Sequence, residues 1–199
     1  MTLPDGYIDL PGGKLASVVT YLEMLAPPPP RDPVTAPDGF AIRRAAKPDP
    51  DWYRRLFRAI GEEWLWFSRL HLSDEELVAQ THSDDVDIFV LERGAEAKGL
   101  IEFDHRRRPD IELALFGVTG DLTGAGVGRH MIDWAIREAW RHSPARFHLH
   151  TCTLDHPKAL SFYVKAGFRP YKRGIEISTD PRVTGALPRT SASWIPLIE

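Results

Sequence analysis

The pattern that most directly invites chemistry is Gly124-Ala125-Gly126-Val127-Gly128. The run Ile111–Val118 before it reads as a strand. The residues after it carry apolar side chains at helical spacing to about His142, with Met131, Ile132, Ala135, Ile136 and Ala139 on one side and Arg129, His130, Asp133, Arg137 and Arg141 on the other. A strand that turns through glycines into a helix aims several unpaired backbone N–H groups, and the positive end of the helix dipole, at one point. Glycine lets an anion approach the backbone with no Cβ in the way. A pyrophosphate is the natural ligand, and Arg129 beside the turn can add positive charge. This is not a phosphate loop of the G-K-S/T type, because Arg129-His130 follows the last glycine, and the G-x-G-x-x-G spacing is absent.

Other reactive side chains are thinly spread. His148 and His150 share one face of a strand at a spacing that can grip a metal, but no third ligand stands out, so no metal is expected. Cys152 is the one cysteine, which excludes an intrachain disulfide and a multi-cysteine zinc site; a buried strand thiol is the simpler reading. Arg106-Arg107-Arg108 is either an anion patch or a solvated hairpin tip, and the second is favoured.

These groups need a frame. The chain has 199 residues with a net charge of −3, 43% apolar and 27% charged residues, which suits one α/β domain with an ornament and gives no ground for a nucleic-acid partner. No apolar run reaches a membrane span, and the first residues do not read as a secretory signal, so a soluble cytoplasmic protein is expected. Residues 1–39 form an N-terminal arm and a Pro-rich connector packed on the domain. Within them 14–24 favours a strand, added to its own sheet or a partner's, and 26–39 holds six prolines. Residues 40–199 form the main domain with a Pro-rich tail of unreadable fold. Strands are expected at Phe40–Arg43, Asp87–Leu91, Lys98–Asp104, Ile111–Val118, Phe147–Cys152 and Tyr171–Ser178. Helices are expected from Asp49-Pro50, from the Ser73/Glu76 capping box, after the glycine turn, and over His156–Ala166. The order predicts an α/β (α+β) fold: a mixed, mostly antiparallel central sheet with helices on both faces.

With that order in place, two motifs converge. Thr123-Gly124-Ala125-Gly126-Val127-Gly128 occupies a Q/R-x-x-G-x-G/A window, with Thr123 departing from the usual Gln or Arg. His156, Ala159, Tyr163, Gly167 and Phe168 follow an N-x-x-A-x-x-x-Y then G-F pattern, with His156 in the Asn slot. Residues 40–178 thereby resemble the GNAT N-acetyltransferase superfamily. The resemblance implies acetyl-CoA as co-substrate, seated between splayed fourth and fifth strands (here Ile111–Val118 and Phe147–Cys152). Val118, Thr123, the backbone N–H groups of residues 124–129, His156 and Ala159 would bind it.

The reaction so implied is direct attack by an amine on the thioester. A lysine-like amine, with a pKa of about 10.4, needs a base, and the departing thiolate benefits from an acid. Tyr163 stands where the family places its acid. Glu112 stands where several members carry a catalytic glutamate. Simple alternation puts Glu112 on one face with Ala114 and Phe116, where burial would raise its pKa. Glu102, Asp104 and a relay ending in His150 compete. Trp64, Trp66 and Arg69 lie where the family builds its acceptor wall, and they either line a pocket or pack beneath a loop. The acceptor is a small-molecule or peptide amine, and a monomer or homodimer is expected. A non-catalytic acyl-CoA sensor, or an acyltransferase using another acyl group or a hydroxyl acceptor, is the alternative.

Overall fold

The computed structural model describes residues 5–30 and 32–199; residues 1–4 of the expected arm and Arg31 of the connector lie outside the described residues. Strand β1 is Lys14–Met24, β2 is Phe40–Arg44, β3 is Val86–Arg93, β4 is Glu96–Asp104, β5 is Asp110–Val118, β6 is Arg146–Cys152 and β7 is Arg169–Thr179. Helix α1 is Pro50–Gly61, α2 is Asp74–Thr81, α3 is Val127–Arg141 and α4 is Ala159–Ala166. The caps explain the starts. Asp49 accepts from the Trp52 N–H, and Ser73 and Glu76 form a reciprocal capping box. Helix α4 begins three residues later than its sequence suggests, because His156 and Pro157 form a turn in which Ala159 N–H donates to the His156 carbonyl.

The strands form one seven-stranded sheet in the order β2-β3-β4-β5-β6-β1-β7. All neighbours are antiparallel except β5 and β6. The N-terminal strand is therefore an interior strand of its own sheet, antiparallel to both β6 and β7. Its burial alternates through Leu15, Ser17 and Val19, shifts phase at an irregularity between Tyr21 and Leu22, and resumes with Leu22 and Met24 on the face that also holds α3 and α4.

Two cores sandwich the sheet. Helices α3 and α4 pack with Ile101, Phe103, Ile111, Leu113, Phe147 and Leu149 on one face; α1 and α2 pack with Val86, Ile88, Val90, Leu100 and Leu115 on the other. Leu113 and Leu115 fall on opposite faces, against simple alternation. The cause is a bulge: Phe103 pairs with Leu113 and Glu102 with Leu115, which leaves Ala114 as an extra residue in β5.

The connector runs along the outer side of α3. Val34 N–H donates to Asp133 at 3.0 Å, and His130 Nδ1 meets the Val34 carbonyl at 2.7 Å. This explains why Asp133, placed by periodicity on the polar side, is buried. The tail folds as turns. Arg182 is buried against Asp180 and donates to the carbonyls of Ser191, Ala192 and Ile195. Leu187 and Ala192 then pack with Leu15 and Leu65.

Candidate active site

The glycine turn does what its residues suggest. Gly124 and Gly126 sit at φ +85° and +81°, in the left-handed region, and a Cβ at either would meet open space. Gly126 is the N-cap of α3, and Val127 behind it is fully buried, which anchors the turn. Three of the nearby donors are engaged within the turn: Thr123 N–H bonds the Gly120 carbonyl, Ala125 that of Leu122, and Arg129 that of Gly126. The donors left for an anion are thus the N–H groups of Gly124, Gly126, Val127 and Gly128, fewer than the whole stretch 124–129. Arg129 is exposed beside them.

From this turn a cleft runs back between β5 and β6. The two strands pair only at Asp110/Arg146, Ile111/Phe147 and Glu112/His148. Beyond that point both continue, β5 to Val118 and β6 to Cys152, without bonding to each other. The backbone groups of Leu113–Val118 that face the gap therefore have no strand partner. Val118 ends β5 half-buried against the α3/α4 core, against which Ala159 of α4 also packs.

At the closed end of the V, Glu112 lies between Ile111 and Leu113, both on the α3/α4 face, so its side chain points to the α1/α2 face. Phe116, displaced by the bulge, instead packs with Phe162 and Tyr163. The alternation that put Glu112 and Phe116 on one face is thereby corrected. The Glu112 carboxylate is 3.3 Å from His150 Nδ1, with His150 about half exposed. The hydrogen bond to His150 holds the Glu112 carboxyl below its ordinary pKa, against the pull of burial. This overturns the expected upward shift. The same bond raises His150, while burial lowers His148. The competing carboxylates are differently occupied. Glu102 is buried and accepts from Tyr53 Oη at 2.5 Å and Arg69 Nη2 at 2.6 Å. Asp104 is bonded to Arg106.

Tyr163 lies on α4 on the other side of the V, buried within rings of Phe116, Phe162 and Phe168. Its hydroxyl has no hydrogen-bond partner among the described residues. Burial, then the nearby Asp155 carboxylate, pushes the phenol well above its ordinary pKa.

The aromatic segment divides in two. Trp66 packs on Phe57 and spans the open end of the V: its ring edge faces Gly117 of β5, where an added Cβ would lie 3.2 Å from it, and its Nε1 donates to Asp155 Oδ1 at 3.1 Å. Asp155 Oδ2 in turn accepts from Thr151 Oγ1 and the Cys152 N–H, at the end of β6. Trp64 lies outside this, edge-on to His156 and against Trp194 of the tail. Arg69 bonds to Glu102, so it is committed to a carboxylate of the protein and is not free for a charged acceptor group.

Gly117 is a packing requirement as well. A Cβ there would lie 2.5 Å from Ile60 Cγ2 of α1. Gly117→Ala is expected to destabilise the fold by about 1–3 kcal/mol, the usual overpacking range, in urea unfolding. An unchanged midpoint would show that α1 yields at no cost.

Asp155 and the Tyr53–Glu102 contact were not visible in the residue pattern. Asp155 did carry a signal: an acid directly between a strand end and His156-Pro157, at the start of the second motif.

Comparison with known proteins follows this geometry. The model of the Acetyltransferase (GNAT) family matches residues 51–168. A mycothiol acetyltransferase of Jonesia denitrificans is 35% identical over 68 residues, covering 34% of this chain and 21% of that protein. A GCN5-related N-acetyltransferase from Sphaerobacter thermophilus superposes with TM-score 0.60 at 16% identity, over 82% of this chain and 51% of the other. One from Kribbella flavida gives 0.54 at 14% identity, over 87% and 63%. The chain thus spans less than two-thirds of the length of each of these relatives. With the family match covering more than half of the sequence, from α1 through Phe168, the chain belongs to the GNAT acetyltransferase family.

Proposed function

We propose that the protein transfers an acetyl group from acetyl-CoA to an amine. The observation that carries this reading is the V between β5 and β6, closed at Glu112/His148 and ending at a turn whose N–H groups at Gly124, Gly126, Val127 and Gly128 have no backbone partner among the described residues. The left-handed glycines and the open space at their Cβ positions fit a pyrophosphate lying against the backbone. Gly124, Gly126, Val127 and Gly128 hold it, and Arg129 adds charge. Val118, Thr123, Ala125, His156 and Ala159 flank the pantetheine path. The co-substrate supplies an activated thioester, and the protein's own groups do the rest. The unpaired N–H groups of β5 would donate to the thioester carbonyl and stabilise the negative charge that develops on its oxygen as the amine adds. His150, oriented by Glu112, takes the amine proton directly or through water. Tyr163 gives its proton to the leaving sulfur. Trp66 walls the acceptor side, with Trp64 at its rim.

Acetyl-CoA is expected to raise the melting temperature, since a ligand that binds only the native state stabilises it by about 2.7 kcal/mol at a hundredfold excess over Kd. ATP and NAD should do far less. Thiol release with an amine panel then separates turnover from binding. No thermal shift and no calorimetric heat with millimolar acetyl-CoA would overturn the assignment; binding without turnover on any amine would favour a sensor.

A further inference from the structure

We infer that Trp66, held across the mouth of the V by Asp155, sets the length of the acyl group that the protein accepts. The inference rests on the coenzyme reading above and goes beyond it, from the acceptor side of the pocket to the donor's acyl chain.

Contacts with Gly61, Phe57, Gly117 and Asp155 fix the indole. Its base is pressed against α1: a Cβ at Gly61 would lie 2.4 Å from Trp66 Cβ, so glycine at the end of that helix is what lets the tryptophan come so close. Its ring packs at a tilt of 45° against Phe57, with ring centroids 5.6 Å apart. Its far edge, Cη2, abuts the Cβ position of Gly117. A side chain at 117 would press on this edge, with its Cβ 3.2 Å from Cη2. Its Nε1 is tied to Asp155, and Asp155 is itself tied twice to the end of β6. One rigid ring therefore bridges the two strands at the place where they are furthest from pairing.

A thioester entering from the α3/α4 side, with its pyrophosphate on the glycine turn, reaches the gap between Leu113–Val118 and Leu149–Cys152. Its acyl group then points toward the α1/α2 face and meets the indole. An acetyl group ends there. Each added methylene has to displace a ring that is packed on one side and hydrogen-bonded on the other. A rigid apolar wall discriminates by about 10–200-fold for one misplaced methylene. Asp155 is a positioning residue here, acting through the ring that it holds.

The test is calorimetric binding of CoA, acetyl-CoA, propionyl-CoA and butyryl-CoA to the wild-type chain and to Trp66→Ala, Trp66→Phe and Asp155→Ala, with melting curves to confirm folding. Trp66→Phe retains an aromatic ring on Phe57 but is shorter and lacks the N–H, so it keeps the test alive if the alanine variant is unfolded. The expected result is that wild-type protein binds butyryl-CoA at least tenfold more weakly than acetyl-CoA. Trp66→Ala and Trp66→Phe should shrink that ratio about tenfold, Asp155→Ala should shrink it less, and free CoA should bind all four proteins alike. Equal wild-type binding of acetyl- and butyryl-CoA, or a ratio that survives in the folded Trp66 variants while CoA still binds, would overturn the inference alone. Failure of free CoA to bind the wild type would overturn the coenzyme reading, and this one with it.

Discussion

Replacing Tyr163 by phenylalanine is expected to lower kcat by about 10²–10⁴, the range for a positioned acid, with little change in acetyl-CoA affinity. The phenol is buried among Phe116, Phe162 and Phe168, and burial keeps it protonated at any working pH. In water, proton transfer from a phenol of pKa about 10 to a thiolate whose conjugate acid has a pKa of about 8.5 is uphill by roughly 2 kcal/mol. Burial raises the phenol further, and a thiolate left in the same apolar surroundings would be penalised too, so an acid role for Tyr163 requires the proton to move as the C–S bond breaks. The substitution is also clean. Because the hydroxyl has no partner among the described residues, its loss removes no hydrogen bond between them, and the melting temperature should hold. A kcat unchanged where chemistry limits the rate would reduce Tyr163 to a packing residue.

The residue types made the glycine turn legible because two of its positions need left-handed backbone, which only glycine adopts cheaply. The order of strands and helices was legible for a similar reason: Asp49-Pro50, Ser73/Glu76 and Gly167 are local punctuation whose effect depends on few distant contacts. What escaped was non-local. The bulge at Ala114 is set by the pairing of β5 with β4, and it moved Phe116 away from Glu112. The Glu112–His150 contact needs β5 and β6 side by side, a juxtaposition that spacing along the chain does not announce. Arg69 could be read as pocket lining or as packing, but not as the partner of Glu102, because that carboxylate lies 33 positions away. Asp133 read as exposed because the connector that covers it is nearly a hundred residues upstream.

The pH dependence follows from the same contact, and its sign differs from that of an isolated buried glutamate. Glu112, held below its ordinary value by His150, is ionised across the working range and does not titrate near neutrality. His150, raised by Glu112, does. The wild-type kcat/KM profile should therefore climb as pH passes through the raised His150 pKa, above about 6.5. Glu112→Gln removes the charge that raises His150, so the ascending limb should move to lower pH, while the plateau falls because the ring loses its orienting partner. His150→Asn should abolish that limb and lower activity at neutral pH by about 10²–10⁴, with partial recovery toward the pKa of the amine itself. Stability runs the other way. The depressed Glu112 contributes above its unfolded pKa of about 4.3 and loses that contribution as pH falls through its folded value; the raised His150 contributes below about 6.5 and loses it as pH rises through its own. The pair stabilises the fold most between those limits, where His150 is charged and cannot accept a proton. Activity should thus rise over the interval in which the pair's contribution to stability is lost, and melting curves at pH 6 and 8 beside the rate profile check both halves. A limb that stays in place in both variants would belong to the acceptor amine and would remove Glu112 and His150 from the proton path.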